Sequence, residues 1–266
     1  MRHAQQVVVF LTLLAAVTVE AAALENTRSV DFDIRGVPQT LRIYDSATRR
    51  SNLPSILVLS GDGGWHGFIG ELAGHLAEHG YVVMGFDSKQ YLASLSKPKA
   101  LDPAQVTSDI ASVARYAQEQ AGVKSVVIVG WSEGAGLAVL GGLDPGLRPH
   151  LLGVVALGLP ELNELAWHTS DAIIYITKKV PNEPTFNSKD YVSRLAPVPL
   201  MVIQSTHDAF VPVATAREIF ARVQEPKRFV LINAGDHKFE GQRDALWETL
   251  NQAFDWFNTL ASKPSP

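Results

Sequence analysis

The 266-residue chain contains no cysteine. That excludes disulfides, a thiol nucleophile, thiolate metal sites and a lipid anchor on an N-terminal cysteine. It has no excess of positive charge either. With 23 Lys and Arg against 27 Asp and Glu, the formal net charge is −4, and no nucleic-acid-binding surface is expected. Repeats, heptads and low-complexity tracts are also missing. The 8 histidines show no metal-ligand pattern. His75 and His79 are four residues apart, but HLAEH lacks the glutamate placement of a zinc-protease helix, and both rings are expected to face solvent. No metal or organic cofactor is expected. Long apolar runs are scarce: VVVFLTLLAAVTV, from Val7 to Val19, is too short to cross a bilayer core of about 30 Å.

What that run does fit is export. Arg2 and His3 precede it and Ala21, Ala22 and Ala23 follow, the layout of a secretory signal peptide. Residues 1–23 are therefore expected to be cleaved near Ala23. Residues 24–266 would then remain as a single domain in a bacterial periplasm. Apolar residues make up 46% and charged residues 19%, a globular composition.

Two segments, SVDFDIRG and QTLRIYD, alternate apolar and polar residues around Gly36-Val37-Pro38, which predicts a half-buried antiparallel hairpin. Six short apolar runs follow without alternation: 55–61, 81–87, 125–131, 151–158, 200–206 and 228–235. Strands covered on both faces read this way. Helical stretches lie between them at about 66–79, 103–121, 133–143, 213–224 and 240–260. Strands alternating with helices predict a mainly parallel sheet flanked by helices, and with the leading hairpin this is the layout of an α/β-hydrolase fold. The segment 161–197, which carries Trp167, Ile173, Ile174, Tyr175 and Phe186, is longer than an ordinary connection. It reads equally as a lid over a site or as an extra element packed on the edge.

The strongest chemical signal is SVVIVGWSEGAG, residues 125–136. A strand running into Gly130-Trp131-Ser132-Glu133-Gly134 and then a helix is a nucleophile elbow, which projects the serine hydroxyl above the sheet. Such a serine needs a base, and the base needs an orienting acid. In this fold the chain order is Ser, then acid, then His. Asp208 follows one strand and His237 follows the last, so the expected catalytic set is Ser132, Asp208 and His237. His207 and Asp236 are the rivals beside them.

A second signal is LVLSGDGGWHG, where an acid sits among glycines at the end of a strand. By position, the backbone N–H groups of Asp62 and Glu133 are the expected oxyanion-hole donors. Their carboxylates either hold a cationic substrate group, such as an ammonium, or hydrogen-bond backbone amides in the turns.

With SGDGGW, FDSKQYL (86–92) and GWSEGAG in this order, the chain resembles the AcvB/VirJ family of bacterial virulence-associated proteins. The resemblance implies an exported serine hydrolase of aminoacylated phosphatidylglycerol that frees lysine or alanine. It implies Ser132, Asp208 and His237 as nucleophile, acid and base, with Asp62, Trp65, Asp87, Ser88 and Tyr91 bordering the substrate or supporting that border. It implies a lipid headgroup or small ester as partner and peripheral contact with the membrane. Two positions depart from the family pattern: Glu133, where an aromatic is usual, and Gly136, where an acid is usual. A general periplasmic carboxylesterase or thioesterase, and a non-catalytic binding or secretion-associated protein, remain the alternatives.

Overall fold

A computed structural model describes residues 27–45, 49–97, 99–168 and 184–262. The expected signal peptide lies outside them, as do Ile173, Ile174 and Tyr175. The chain opens with the hairpin of β1 (Thr27–Ile34) and β2 (Val37–Tyr44). Its turn is Arg35-Gly36, one step earlier than the glycine-proline pattern suggests, with φ of 55° and 82°. A two-residue hairpin turn of this hand needs positive φ at both positions, and the Asp33 carboxylate braces it by accepting from Gly36 N–H at 2.7 Å.

Six strands follow in the main sheet: β3 (Ser55–Leu59), β4 (Val83–Phe86), β5 (Val126–Trp131), β6 (Leu151–Leu157), β9 (Leu200–Ser205) and β10 (Lys227–Ile232). The sheet order is β1-β2-β4-β3-β5-β6-β9-β10, and β3 onward run parallel to one another. A separate antiparallel pair, β7 (Leu162–Glu164) and β8 (Thr185–Asn187), frames the 161–197 excursion. The α-helices among the described residues are α1 (Phe68–Glu78), α2 (Ser88–Leu95), α3 (Pro103–Ala121), α4 (Glu133–Gly141), α5 (Val213–Arg222) and α6 (Arg243–Ala261).

The unbroken apolar runs have a simple cause. Along β3, Leu57 and Leu59 face one core layer while Ile56 and Val58 face the other. Helices α3, α4 and α5 cover the first face, and α1 and α6 the second. Each buried Leu, Ile or Val contributes about 1.5–3 kcal/mol relative to exposure. In α6 the buried Leu246, Leu250, Ala253, Phe254 and Phe257 form one stripe at helical spacing.

Register then sets the site. Leu59 lies beside both Phe86 and Gly130, Trp131 beside Leu157, and Leu157 beside Ile203. The carboxyl ends of β3, β4, β5, β6 and β9 therefore stop at one level, and their loops meet along one edge.

Candidate active site

Ser132 sits at the sharp bend between β5 and α4 with φ 55° and ψ −124°, a conformation that costs energy for a residue with a Cβ. Its surroundings enforce it. Its N–H donates to Leu157 O at 2.9 Å, and its carbonyl accepts from Ala135 N at 2.8 Å. The flanking glycines are a steric requirement: a Cβ on Gly130 would lie 2.1 Å from the Gly134 carbonyl oxygen, and one on Gly134 would lie 2.4 Å from that of Ser60. The elbow is packed as a unit.

Asp208 and His237 come together from the loops after β9 and β10. Nδ1 of His237 and Oδ2 of Asp208 are 2.5 Å apart, and both side chains are buried. Asp208 also accepts from Gln204 Nε2 at 3.0 Å, Phe210 N at 2.8 Å and Val211 N at 2.9 Å. Burial pushes its carboxyl up, but the hydrogen bond and charge of His237 and the two backbone donors outweigh this and hold it below the ordinary aspartate range. Nε2 of His237 is buried with no hydrogen-bond partner among the described residues.

The rivals are occupied elsewhere. Asp236 accepts from Lys238 N and Glu240 N within its own turn, and His207 Nδ1 lies 2.9 Å from Ala234 O. Gly158, which no sequence motif marked, proves necessary. It follows β6 at φ 57°, and a Cβ there would lie 2.7 Å from His237 Cε1.

Ser132 and His237 line one pocket of about 690 Å³, together with Asp62, Glu133 and Glu164. That volume suits a small-molecule or headgroup ligand. Glu133 is the first residue of α4, so its N–H is one of the terminal amides without an intrahelical acceptor. The Glu133 side chain accepts from Glu164 N at 2.7 Å, so it does bind a backbone amide. Burial, then the charges of Glu164 and Asp62, raise its carboxyl well above the ordinary glutamate range despite that hydrogen bond.

Of the residues expected to border the substrate or support that border, Trp65, Asp87, Ser88 and Tyr91 lie off the pocket lining, so direct contact with the substrate is corrected to a supporting place behind it. Asp87 caps α2 by accepting from Gln90 N and ties the β3 loop by accepting from Trp65 N, each at 3.1 Å. Trp65 packs over Gly85 and donates to Tyr44 Oη at 3.0 Å. Ser88 N–H donates to Ser60 Oγ at 3.0 Å. Tyr91 is fully buried and donates to Asp109 at 2.7 Å, and Arg35 pairs with the same carboxylate at 2.9 Å. The residue of this stretch that reaches the pocket is Lys89.

The excursion also contributes to the pocket. Pro160, Leu162 and Glu164 form part of its wall, and Leu162 and Phe210 are exposed apolar residues there. Asn163 anchors β7. Its side chain occupies the hollow over Gly136, where a Cβ would come within 2.0 Å of Asn163 Oδ1, and its Nδ2 donates to Ser188 Oγ at 2.7 Å.

Among the described residues, no group of three or more His, Asp or Glu is placed to hold a metal, and no helix is long and apolar enough to cross a membrane. His75 departs from its expected solvent-facing position: its ring stacks on Trp247 at 4.4 Å.

Eight strands in this order, with a strained serine after β5, make an α/β-hydrolase-fold protein. Solved structures agree on the fold. The α/β hydrolase GrgF from Penicillium sp. sh18 superposes with a TM-score of 0.64 at 15% identity, over 88% of this chain and 98% of that one. Est1E from Butyrivibrio proteoclasticus gives 0.62 at 12% identity, over 87% and 99%. An esterase, Est2, from Thermogutta terrifontis gives 0.61 at 18%, over 90% and 95%.

Within that fold, residues 55–168 are similar to VirJ, since the family model for bacterial virulence protein (VirJ) matches them. That span holds Asp62, Lys89, Ser132, Glu133 and Glu164 and ends before Asp208 and His237. The uncharacterized protein YfhR of Escherichia coli O157:H7 is 23% identical over 181 residues. The match covers 65% of this chain and 61% of that protein.

Proposed function

We propose that this protein is a serine ester hydrolase whose substrate is an aminoacylated phosphatidylglycerol, acting in the periplasm after export. The observation that carries the reading is the pocket itself: an elbow serine and an Asp-oriented histidine share it with four carboxyl residues, Asp62, Glu133, Glu164 and Asp236. Ser132 Oγ attacks the ester carbonyl and passes its proton to His237 Nε2. The tetrahedral oxyanion is held by the N–H groups of Asp62 and Glu133, aided by the positive end of α4. The carbon–oxygen bond to the headgroup breaks, and His237 returns the proton to the leaving alcohol. Water then attacks the acyl-enzyme, giving its proton to His237, and Ser132 leaves reprotonated with the free amino acid.

The carboxyl groups suit this substrate class. Carboxyl groups gathered in one pocket favour a substrate that brings a positive group to them. An aminoacyl ester supplies one, an ammonium on the carbon next to the scissile carbonyl. A plain carboxylesterase is the second reading, favoured by the apolar Leu162 and Phe210 at the pocket.

The test compares purified protein and its Ser132→Ala variant on vesicles of lysyl- or alanyl-phosphatidylglycerol, with a short p-nitrophenyl ester in parallel. Serine-dependent release of amino acid, faster than aryl-ester turnover, is the expected result. Turnover of the aryl ester alone would favour the second reading.

A further inference from the structure

The pocket carries charge of both signs. Besides Asp62, Glu133, Glu164 and Asp236 it is lined by Lys89 and Lys238. Lys89 is the second residue of α2, whose start is fixed by the two hydrogen bonds to Asp87. Its aliphatic stem runs beside Gly64, where a Cβ would lie 3.4 Å from Lys89 Cδ. Its ammonium stands 4.4 Å over the Trp167 ring. Such a contact is worth about 0.5–2 kcal/mol and holds an otherwise flexible side chain in one place.

Among the described residues Lys89 forms no ion pair. A lysine kept to neutralise the nearby acids would reach one of them. This one is held on an aromatic face instead, so the pocket keeps a cationic pole as well as an acidic one. A neutral ester has use for neither, and an aminoacyl ester of a neutral alcohol has use only for the acidic one. A substrate with an ammonium on the acyl side and an anion on the alcohol side engages both.

Building on the reading above, we infer that Lys89 is a specificity-determining residue that binds the phosphodiester on the leaving-group side of the ester. The acids read the amine and Lys89 reads the phosphate, so the two poles also fix which way round the substrate enters. As a point charge on a flexible stem, lysine contacts a phosphate oxygen without needing the planar geometry of arginine.

The experiment uses three alanine esters: alanyl-phosphatidylglycerol in vesicles, its deacylated soluble glycerophosphoryl counterpart, and alanine p-nitrophenyl ester, which has no phosphate. Wild type, Lys89→Ala and Lys89→Arg are compared. Lys89→Ala is expected to lower the ratio of kcat/KM on each phosphate ester to that on the aryl ester about 10-fold, mainly through KM, as for the loss of one charge-assisted contact of about 1.4 kcal/mol. Lys89→Arg should restore most of the ratio, and added salt should depress it in wild type more than in Lys89→Ala. An unchanged ratio, or equal loss on all three esters, overturns the inference and leaves the substrate reading intact. Loss confined to vesicles would make Lys89 a membrane-surface charge and also overturn it. If wild type cleaves only the aryl ester, the phosphatidylglycerol reading falls and the inference falls with it.

Discussion

Two stretches of this chain look equally motif-like, and the structure uses them in opposite ways. GWSEGAG, residues 130–136, turns its chemistry toward the pocket: Ser132 and Glu133 line it, while Gly130 and Gly134 let the backbone close around them. FDSKQYL, residues 86–92, turns its polar residues inward. Asp87 and Ser88 tie the start of α2 to the end of β3, and Tyr91 anchors it to α3 through Asp109. A regular polar pattern after a strand thus marks a joint as readily as a site. What separates them is burial of the polar atoms against partners within the protein. Lys89, which interrupts the second motif, is the member left facing the pocket.

Ser132→Ala should widen the contrast most. Ester hydrolysis should fall by on the order of 10³–10⁶ with the thermal midpoint little changed. A residual rate above 10% of wild type would remove Ser132 as nucleophile. On the other side, Tyr91→Phe should leave kcat within about twofold while lowering stability by roughly 1–3 kcal/mol, because the buried Asp109 loses a donor. Urea denaturation beside steady-state kinetics would decide it, and a large kcat loss would move Tyr91 from joint to site.

A pH series sharpens the comparison further. The Glu133 carboxyl is raised by burial and its acidic neighbours. Between the ordinary glutamate value and that raised value the folded protein holds a proton the unfolded chain has released, so stability falls as pH rises. The slope is at most about 1.4 kcal/mol per pH unit for one proton, and Glu133→Gln should flatten it. Asp208 runs the other way: its stabilisation is present above the ordinary aspartate range and is lost as pH falls through its depressed value. Unfolding midpoints for wild type and Glu133→Gln that stay parallel above the glutamate range would contradict this account. The smallest change is Asp87→Ala, which should cost about 1 kcal/mol as a lost helix cap. It should also loosen the loop bearing Asp62, read as a modest rise in KM.

Much of this was legible in sequence because it is local. Continuous Val and Ile runs between amphipathic stretches marked the six parallel strands, and a glycine-flanked serine between strand and helix marked the elbow. Asp208 and His237, which the structure pairs beside the pocket, could be proposed because the fold delivers such residues in a fixed order. Helix α2 went unread: SKQYLASL is short and only weakly amphipathic, and its cap, Asp87, looked like a site residue. Glu164 was hidden for another reason. It reaches the pocket only because β7 pairs with β8 about twenty residues on, and no periodicity in the chain announces that pairing. Gly158 had a weak cue, a glycine closing the run LLGVVALG, but its purpose depends on His237 arriving from the far end of the chain.

The seat of Asn163 over Gly136 constrains how this protein could have changed over time. A side chain at 136 and the asparagine at 163 compete for the same space, so position 136 cannot gain a side chain while 163 keeps its asparagine. A lineage moving an acid onto position 136 must first withdraw or shrink residue 163, which frees the β7–β8 wall to take another course. The serine's helix and the wall facing it are therefore expected to evolve as a pair. A library that varies 136 and 163 together should yield folded pockets of new shape, where randomising 136 alone would return mostly glycine.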